Sequence, residues 1–372
     1  MGKNTDVLPF TEIVERVREI ARVASENDKP RARGAVNDTY ARKIPSEEDW
    51  GFLLVSSAIS CTAPYTTGNA SINTQDTLVG FFGGAVADSA MIGRLLKLND
   101  NADVYTLIGF TNTTTMTVSP MLSSDVNVVN GAFTIFQPYY ALAGDFDRFP
   151  KNGGLKFYQG GRITQVPEVR ETPYYRDYVP NPSSVPQTCR ILTMGTDGVP
   201  YVELQAPPSK AYNVGYDYLK RPTIMRETTA GTVTTSAGTT TVYFHGGARL
   251  GEMTTGMYLR VDAFGTAADS EWYRLIALSA ANSTGTLQVA FSVSAAISAG
   301  YVVCHAPEYP VKVQPAILAG AITTITADQN DPLFQFHQSQ YRETINDAKR
   351  TFKTRIYQQD VETINEEWMY RR

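Results

Sequence analysis

Histidine is scarce in this chain: 372 residues carry three, His245, His305 and His337. None stands at a metal-ligand or triad spacing, so zinc hydrolysis and Ser-His chemistry find no foothold. Cysteine is equally scarce. Cys61, Cys189 and Cys304 are odd in number, far apart and without a Cys-x-x-Cys pair, which argues against a disulfide framework or a zinc site. No apolar run reaches the ~20 residues of a membrane span, and the N-terminal stretch lacks a signal-peptide core. The expectation is folding in a reducing cytosol and no membrane partner. A basic excess is missing too. A net charge of −4 and a pI near 5.6 supply no strong positive field to hold nucleic acid. No Gly-x-Ser-x-Gly or Walker pattern occurs, and Gly153-Gly154 and Gly160-Gly161 precede no helix start that could cradle a phosphate. The chain therefore reads as a non-enzyme with no catalytic, cofactor-binding or metal site.

What is present is an internal repeat. Tyr65–Leu98 lies on Thr228–Val261 without a gap, at a shift of 163 positions. Identical pairs include Gly68/Gly231, Thr77/Thr240, Val79/Val242, Ala85/Ala248, Gly93/Gly256 and Leu96/Leu259. The centre of the match is Phe-x-Gly-Gly-Ala: Phe81, Gly83 and Gly84 in one copy, Phe244, Gly246 and Gly247 in the other. With a five-residue adjustment, Val104–Ile108 falls on Trp272–Ile276 and Phe133–Ile135 on Tyr301–Val303; Met116 and Val118 are read onto Leu287 and Val289. Repeats are sought first because missing one miscalls the fold. Two copies at this spacing do not make a solenoid. The paired glycines mark backbone with φ > 0, a conformation costly for any residue with a Cβ, and the apolar alternation marks half-buried strands.

At this length two or three domains are expected. Residues 10–26 predict an amphipathic helix with Ile13, Val17, Ile20 and Ala24 inward, and 31–44 a second with Ala32, Ala35, Val36 and Tyr40 inward, stopped by Pro45. The first β module occupies 51–136. Residues 137–226 are rich in tyrosine; Tyr201–Leu204 and Tyr212–Tyr218 flank Pro207-Pro208 as a hairpin. The second β module occupies 227–306. The 307–372 segment predicts two helices, the last from Asp331-Pro332 to about Trp368, roughly 50 Å long. The fold class is α+β: N-terminal helices (1–50) and C-terminal helices forming a helical bundle frame, with two homologous small β-barrel or sandwich modules inserted. Lone acidic groups such as Asp145 and Asp147 read as turn caps. His245 reads as packing, because Phe82 holds its place in the first copy.

The order of parts resembles a known family. Helices lead through a tryptophan into a β module, then Leu142, Asp145 and Phe146, then Pro207, Pro208, Ala211 and Tyr212, then Tyr218-Leu219-Lys220-Arg221-Pro222, then paired helices. This resembles the head-to-tail connector, or adaptor, proteins of tailed bacteriophages. The likeness covers nearly the whole chain outside the second module; Ala143, where the family favours proline, and the second module itself depart from it. The resemblance implies a non-catalytic structural virion protein made in the host cytoplasm and placed at the head–tail interface. It implies a homo-oligomeric ring of about a dozen copies, joined to the portal protein and to tail or nozzle proteins, with genomic DNA passing through the lumen without sequence-specific binding. Family members reach the portal with a C-terminal extension, which here points to Trp368, Tyr370, Arg371 and Arg372, residue types that dominate interface energetics. In the last 33 residues seven basic side chains face six acidic ones, a balance suited to lateral contacts. The rival reading is a tail-associated receptor- or glycan-binding β protein whose tyrosines stack on sugars.

Overall fold

The computed structural model of the protein describes residues 8–369 apart from 24, 73–76, 99–103, 120–127, 152, 160–161, 169–185, 187, 193–197, 206, 263–270, 293–295 and 329–330; within the last helix, side chains are described through 352. The fold is mixed α+β with antiparallel sheets. It divides into two compact units, Leu53–Lys220 and Met1–Phe52 with Arg221–Arg372.

The Leu53–Lys220 unit opens with β1 (Leu54–Cys61) and then builds a curled sheet from β2 (Asn69–Ile72), β3 (Leu78–Phe82), β4 (Leu95–Leu98), β5 (Val104–Asn112), β6 (Thr115–Ser119), β7 (Val128–Gly131) and β8 (Phe133–Phe136). Its strand order is β7-β2-β3-β6-β5-β4-β8. Tyr65, just ahead of β2, exchanges both backbone hydrogen bonds with Ile135 of β8 (2.8 and 2.9 Å), so the sheet curls back on its own start. Alternate side chains face inward, and Val79, Phe81, Leu96, Leu107, Met116 and Ile135 form the buried centre.

Seven further strands follow: β9 (Tyr139–Ala141), β10 (Phe146–Arg148), β11 (Gly154–Gln159), β12 (Arg162–Pro167), β13 (Thr188–Leu192), β14 (Tyr201–Gln205) and β15 (Tyr212–Lys220). They make a sheet β1-β15-β11-β12, with β10 beside β15, and a sheet β13-β14-β9. The expected hairpin across Pro207-Pro208 does not form. β14 pairs with β13 and β9, while β15 pairs with β1, β10 and β11. Two consecutive prolines offer no N–H to a hairpin ladder, and both strands find longer partners elsewhere. The two sheets share one core, with Ile59, Phe157, Cys189, Leu204 and Tyr216 buried together.

The other unit begins with α1 (Phe10–Ile20), shorter than expected. Arg22 adopts a left-handed φ of 55°, Val23 N–H bonds to Arg18 O (2.9 Å) and Arg22 N–H to Glu19 O (3.3 Å), the bond pattern that ends a helix. The buried stripe is Phe10, Ile13, Val14 and Val17; Ile20 is 45% exposed, a correction to its inward assignment. Helix α2 (Lys29–Asp38) buries Ala32, Ala35 and Val36. It continues through a π turn at Thr39–Lys43, which buries Tyr40, into α3 (Ile44–Glu47). Pro45 therefore does not stop the helix. Its ring crowds the carbonyl four residues back, and the wider turn before it, in which Ile44 N–H reaches Thr39 O, accommodates that.

A second curled sheet follows: β16 (Glu227–Thr228), β17 (Thr232–Thr235), β18 (Thr241–His245), β19 (Tyr258–Val261), β20 (Tyr273–Ser279), β21 (Thr284–Leu287), β22 (Ala296–Ala299) and β23 (Tyr301–Cys304). Its order is β16-β23-β19-β20-β21-β18-β17-β22. Taken from the opposite end this is the order of the first curled sheet, with β16 in the place of Tyr65. The pairing corrects one match in the repeat. Met116 stands opposite Val79, and the residue opposite Val242 is Gly285, so Val118 corresponds to Leu287 and not to exposed Val289. A slip of two residues keeps every side chain on its face, so alternation cannot expose it.

The chain ends in α4 (Gln314–Asp328), which packs on α1, α2 and α5 (Phe334–Met369). Gly320 marks the closest approach: a Cβ there would lie 2.5 Å from Thr39 Cγ2 and 2.9 Å from the Tyr341 ring. Trp50 is buried and its indole N–H donates to Ile44 O (2.6 Å); Phe52 stacks on it and meets Tyr309 and Phe352 edge-on or tilted.

Candidate functional site

The helices and the second curled sheet are joined by a polar seam. Glu227 opens β16 with its carboxylate only 4% exposed. Thr11 donates its hydroxyl to it (2.6 Å), Arg33 pairs with it, and Lys29 lies at 3.5 Å. A carboxylate so enclosed persists because charge and hydrogen bonds compensate its lost water. Beside it Asn37 forms a two-way amide bond with the Met225 backbone, both at 3.0 Å. On the exit side Phe10 N–H donates to His305 O (2.8 Å) and Tyr309 donates its hydroxyl to Tyr40 O (2.5 Å). Entry to the second sheet is thus anchored on α1 and α2, and exit from it on α1 and the π turn that follows α2. Nothing in the sequence singled out Glu227; only its burial among cations identifies it.

The histidines occupy three different settings. His245 is exposed at the end of β18, and Phe82, its match on β3, is 52% exposed. Packing is therefore not its role: on these strands the inward positions belong to Phe244 and Phe81. His305 accepts the Arg226 N–H on Nδ1 (3.0 Å). His337 is buried on α5 against the Phe336 ring. A cleft of about 590 Å³ touches His305, Arg274, Tyr258 and Tyr309, but the one imidazole in its lining has its Nδ1 engaged by the backbone. Among the described residues no group of three or more His, Cys, Asp or Glu is placed to hold a metal ion.

The three cysteines are buried and none forms a disulfide. Burial pushes the Cys61 and Cys189 thiols up to about 12 and raises Cys304 as well, so none is a ready thiolate. Asp145 is not a turn cap. It accepts the Tyr218 hydroxyl (2.6 Å), and Phe146 stacks on the Tyr218 ring at 5.5 Å, which joins β10 to the end of β15. Among the described tyrosines of this region, Tyr140, Tyr212, Tyr216 and Tyr218 lie in the core, while Tyr158 is exposed.

Of the residues expected at a docking end, Trp368 lies on the last turn of α5 with no described side chain, and Tyr370, Arg371 and Arg372 lie outside the described residues. Over 334–352 the buried side chains of α5 are His337, Ile345 and Ala348, which share one stripe, while Lys349 pairs with Glu47 (2.9 Å). Phe81 and Phe244 fill the centres of the two curled sheets; Gly83, Gly84, Gly246 and Gly247 take φ of 65°, 87°, 64° and 83°. No helix among the described residues is long and apolar enough to cross a membrane. No family model matches the chain, and comparison with curated proteins and with solved structures finds no significant match.

Proposed function

We propose that this chain is a structural subunit of a bacteriophage particle, a ring-forming head-to-tail connector that joins the portal to the tail and surrounds the path of the DNA. Its helices α1–α5 act as the frame, and its two curled sheets are copies of one module held by that frame. The observation that carries the reading is α5: 36 residues long, it has one covered stripe over 334–352, and apart from Phe336 the exposed side chains there are polar or charged. A helix of roughly 50 Å whose described side chains, through 352, are covered along one stripe leaves room on its other sides there for lateral neighbours. The order of parts supports the same reading, as does the seam at Glu227, which ties the second module to the frame. The net charge of −4 suits a lumen through which DNA slides, because strong phosphate neutralisation would hold it.

The docking residues in this reading are Trp368, Tyr370, Arg371 and Arg372, which would meet the portal. The decisive experiment is imaging of the assembled particle with this chain located in it. A ring directly below the portal is expected; location at a fibre or tail tip would overturn the reading and favour the receptor-binding alternative. Removal of 368–372 should abolish portal binding in pull-down while leaving the circular dichroism spectrum unchanged. The receptor-binding alternative has less support, since the described tyrosines of 137–226 lie largely in the core.

A further inference from the structure

The cleft of about 590 Å³ beside the second sheet has the size of a small-molecule site. It lies where Tyr258 and Arg274, opposite each other on β19 and β20, meet the chain that runs from His305 into α4. Phe52, Tyr258 and Tyr309 supply aromatic walls. Tyr309 has its hydroxyl on Tyr40 O, so what it offers the cleft is its ring.

Three lining side chains hold N–H groups that have no acceptor among the described residues. Gln314 is 2% exposed and receives Leu8 N–H at 3.2 Å. An N–H can meet only the oxygen of that amide, so the Gln314 NH2 group is left over, and nothing described accepts from it. His305 takes the Arg226 N–H on Nδ1 (3.0 Å), which fixes its own proton on Nε2. That second N–H likewise finds no acceptor. Arg274 is exposed and pairs with no described carboxylate. A donor on a side chain as enclosed as Gln314 normally finds a partner, because leaving it unmet is costly.

The repeat supplies a control. In the first sheet Thr106 stands in the place of Arg274 and Gln137 in the place of His305. Met91 and Ile92 stand where the cleft has Thr254 and Thr255. The module therefore folds without the guanidinium, the imidazole or the two hydroxyls, and the second copy carries them for another reason.

We propose that the cleft binds a small organic anion, an aromatic body bearing a single carboxylate. Guanidinium, imidazole N–H and amide N–H are all donors suited to carboxylate oxygens, and the three rings receive the apolar part. Arg274 is the one full positive charge in the lining, and exposed Glu308 lines it too, so a monoanion fits better than a phosphate dianion. Such a site does not depend on the ring reading above.

The probe is 3-phenylpropionate, added to the full chain and followed by saturation-transfer NMR and titration calorimetry. A Kd of about 1 mM or tighter is expected, with the neutral 3-phenylpropionamide weaker by about tenfold or more. Arg274→Gln, at an exposed position and checked by circular dichroism, should weaken the acid by about tenfold and leave the amide unchanged. Absence of binding up to about 10 mM overturns the proposal. So does equal binding of acid and amide, or an acid indifferent to Arg274→Gln. Preference for 3-phenylpropylamine, a cation of the same shape, would assign the cleft to Glu308 and overturn it as well.

Discussion

The curled sheets of 65–136 and 227–304 share more than strand order. Both hold their first long glycine in left-handed backbone, Gly68 at 83° and Gly231 at 90°. Both carry the same irregularity beside the second strand, with Ala70 on Gly131 and Ile72 on Val128 in one, and Val233 on Ala299 and Thr235 on Ala296 in the other. In both, a glycine N–H reaches across at 2.7 Å, Gly93 to Leu107 O and Gly256 to Leu275 O. They differ in how the core is filled. Met116 occupies the first core and Phe110 opposite it stays outside; in the second, Gly285 leaves that room and Leu278 packs against it. The two sheets meet the same backbone requirements while side-chain volume is distributed differently between facing positions, as expected where cores need total volume more than particular residues. They also differ in anchorage: the second sheet opens on the buried Glu227 seam, whereas Pro64 stands at the matching position of the first.

The comparison can be broken most severely at the shared glycines. A Cβ on Gly68 would collide with the Phe82 carbonyl and Ala85, and one on Gly231 with the His245 carbonyl and Ala248. Gly68→Ala and Gly231→Ala should each cost about 3 kcal/mol or more in their own unit, read by denaturation with amide exchange; unequal losses would undo the equivalence. Met116→Ala should cost about 3 kcal/mol by opening a cavity. Its counterpart Gly285→Ala should cost less, about 1–2 kcal/mol, through crowding of Leu275 and Phe244 at 3.0 Å. Glu227→Gln should destabilise the unit of the second sheet by about 2 kcal/mol, because Arg33 and Lys29 lose their shared carboxylate, and leave the Leu53–Lys220 unit unchanged. Gly84→Ala and Gly247→Ala meet nothing within 4 Å, so only the backbone cost of about 1 kcal/mol should appear in each.

The smallest effect separates the units by pH. Burial pushes the Asp217 carboxyl up, but hydrogen bonds from Lys156 and Ser56 together outweigh it and hold the group below the usual carboxylate range. A depressed folded value contributes stability above the unfolded value of about 3.9 and loses it as pH falls through the folded one. Lys156 and Asp217 remain 38% and 31% exposed, so the contribution is below about 1 kcal/mol. Asp217→Asn should flatten the acid limb below pH ~4 for the Leu53–Lys220 unit alone; an acid limb unaltered by the substitution would count against this assignment.

Much of this was legible along the chain because some positions carry their constraint with them. A left-handed turn selects glycine whatever surrounds it, so the pairs Gly68/Gly231, Gly83/Gly246 and Gly93/Gly256 announce the repeat. An amphipathic stripe likewise announces α1 and α2 before any partner is known. Choices between equivalent local arrangements were not legible: which strand Tyr212–Lys220 pairs with, whether Met116 matches Gly285 or Leu287, and that Arg22 would take the left-handed position ending α1. Nor could residue type alone place Glu227 among Thr11, Lys29 and Arg33, or put Gly320 where three helices meet. The amino-acid order by itself determined where the backbone must turn and which faces are apolar, since both follow from single residues and their spacing. Pairing, register and the neighbours of each buried charge were decided only in the tertiary structure, because they depend on contacts between segments tens to hundreds of residues apart.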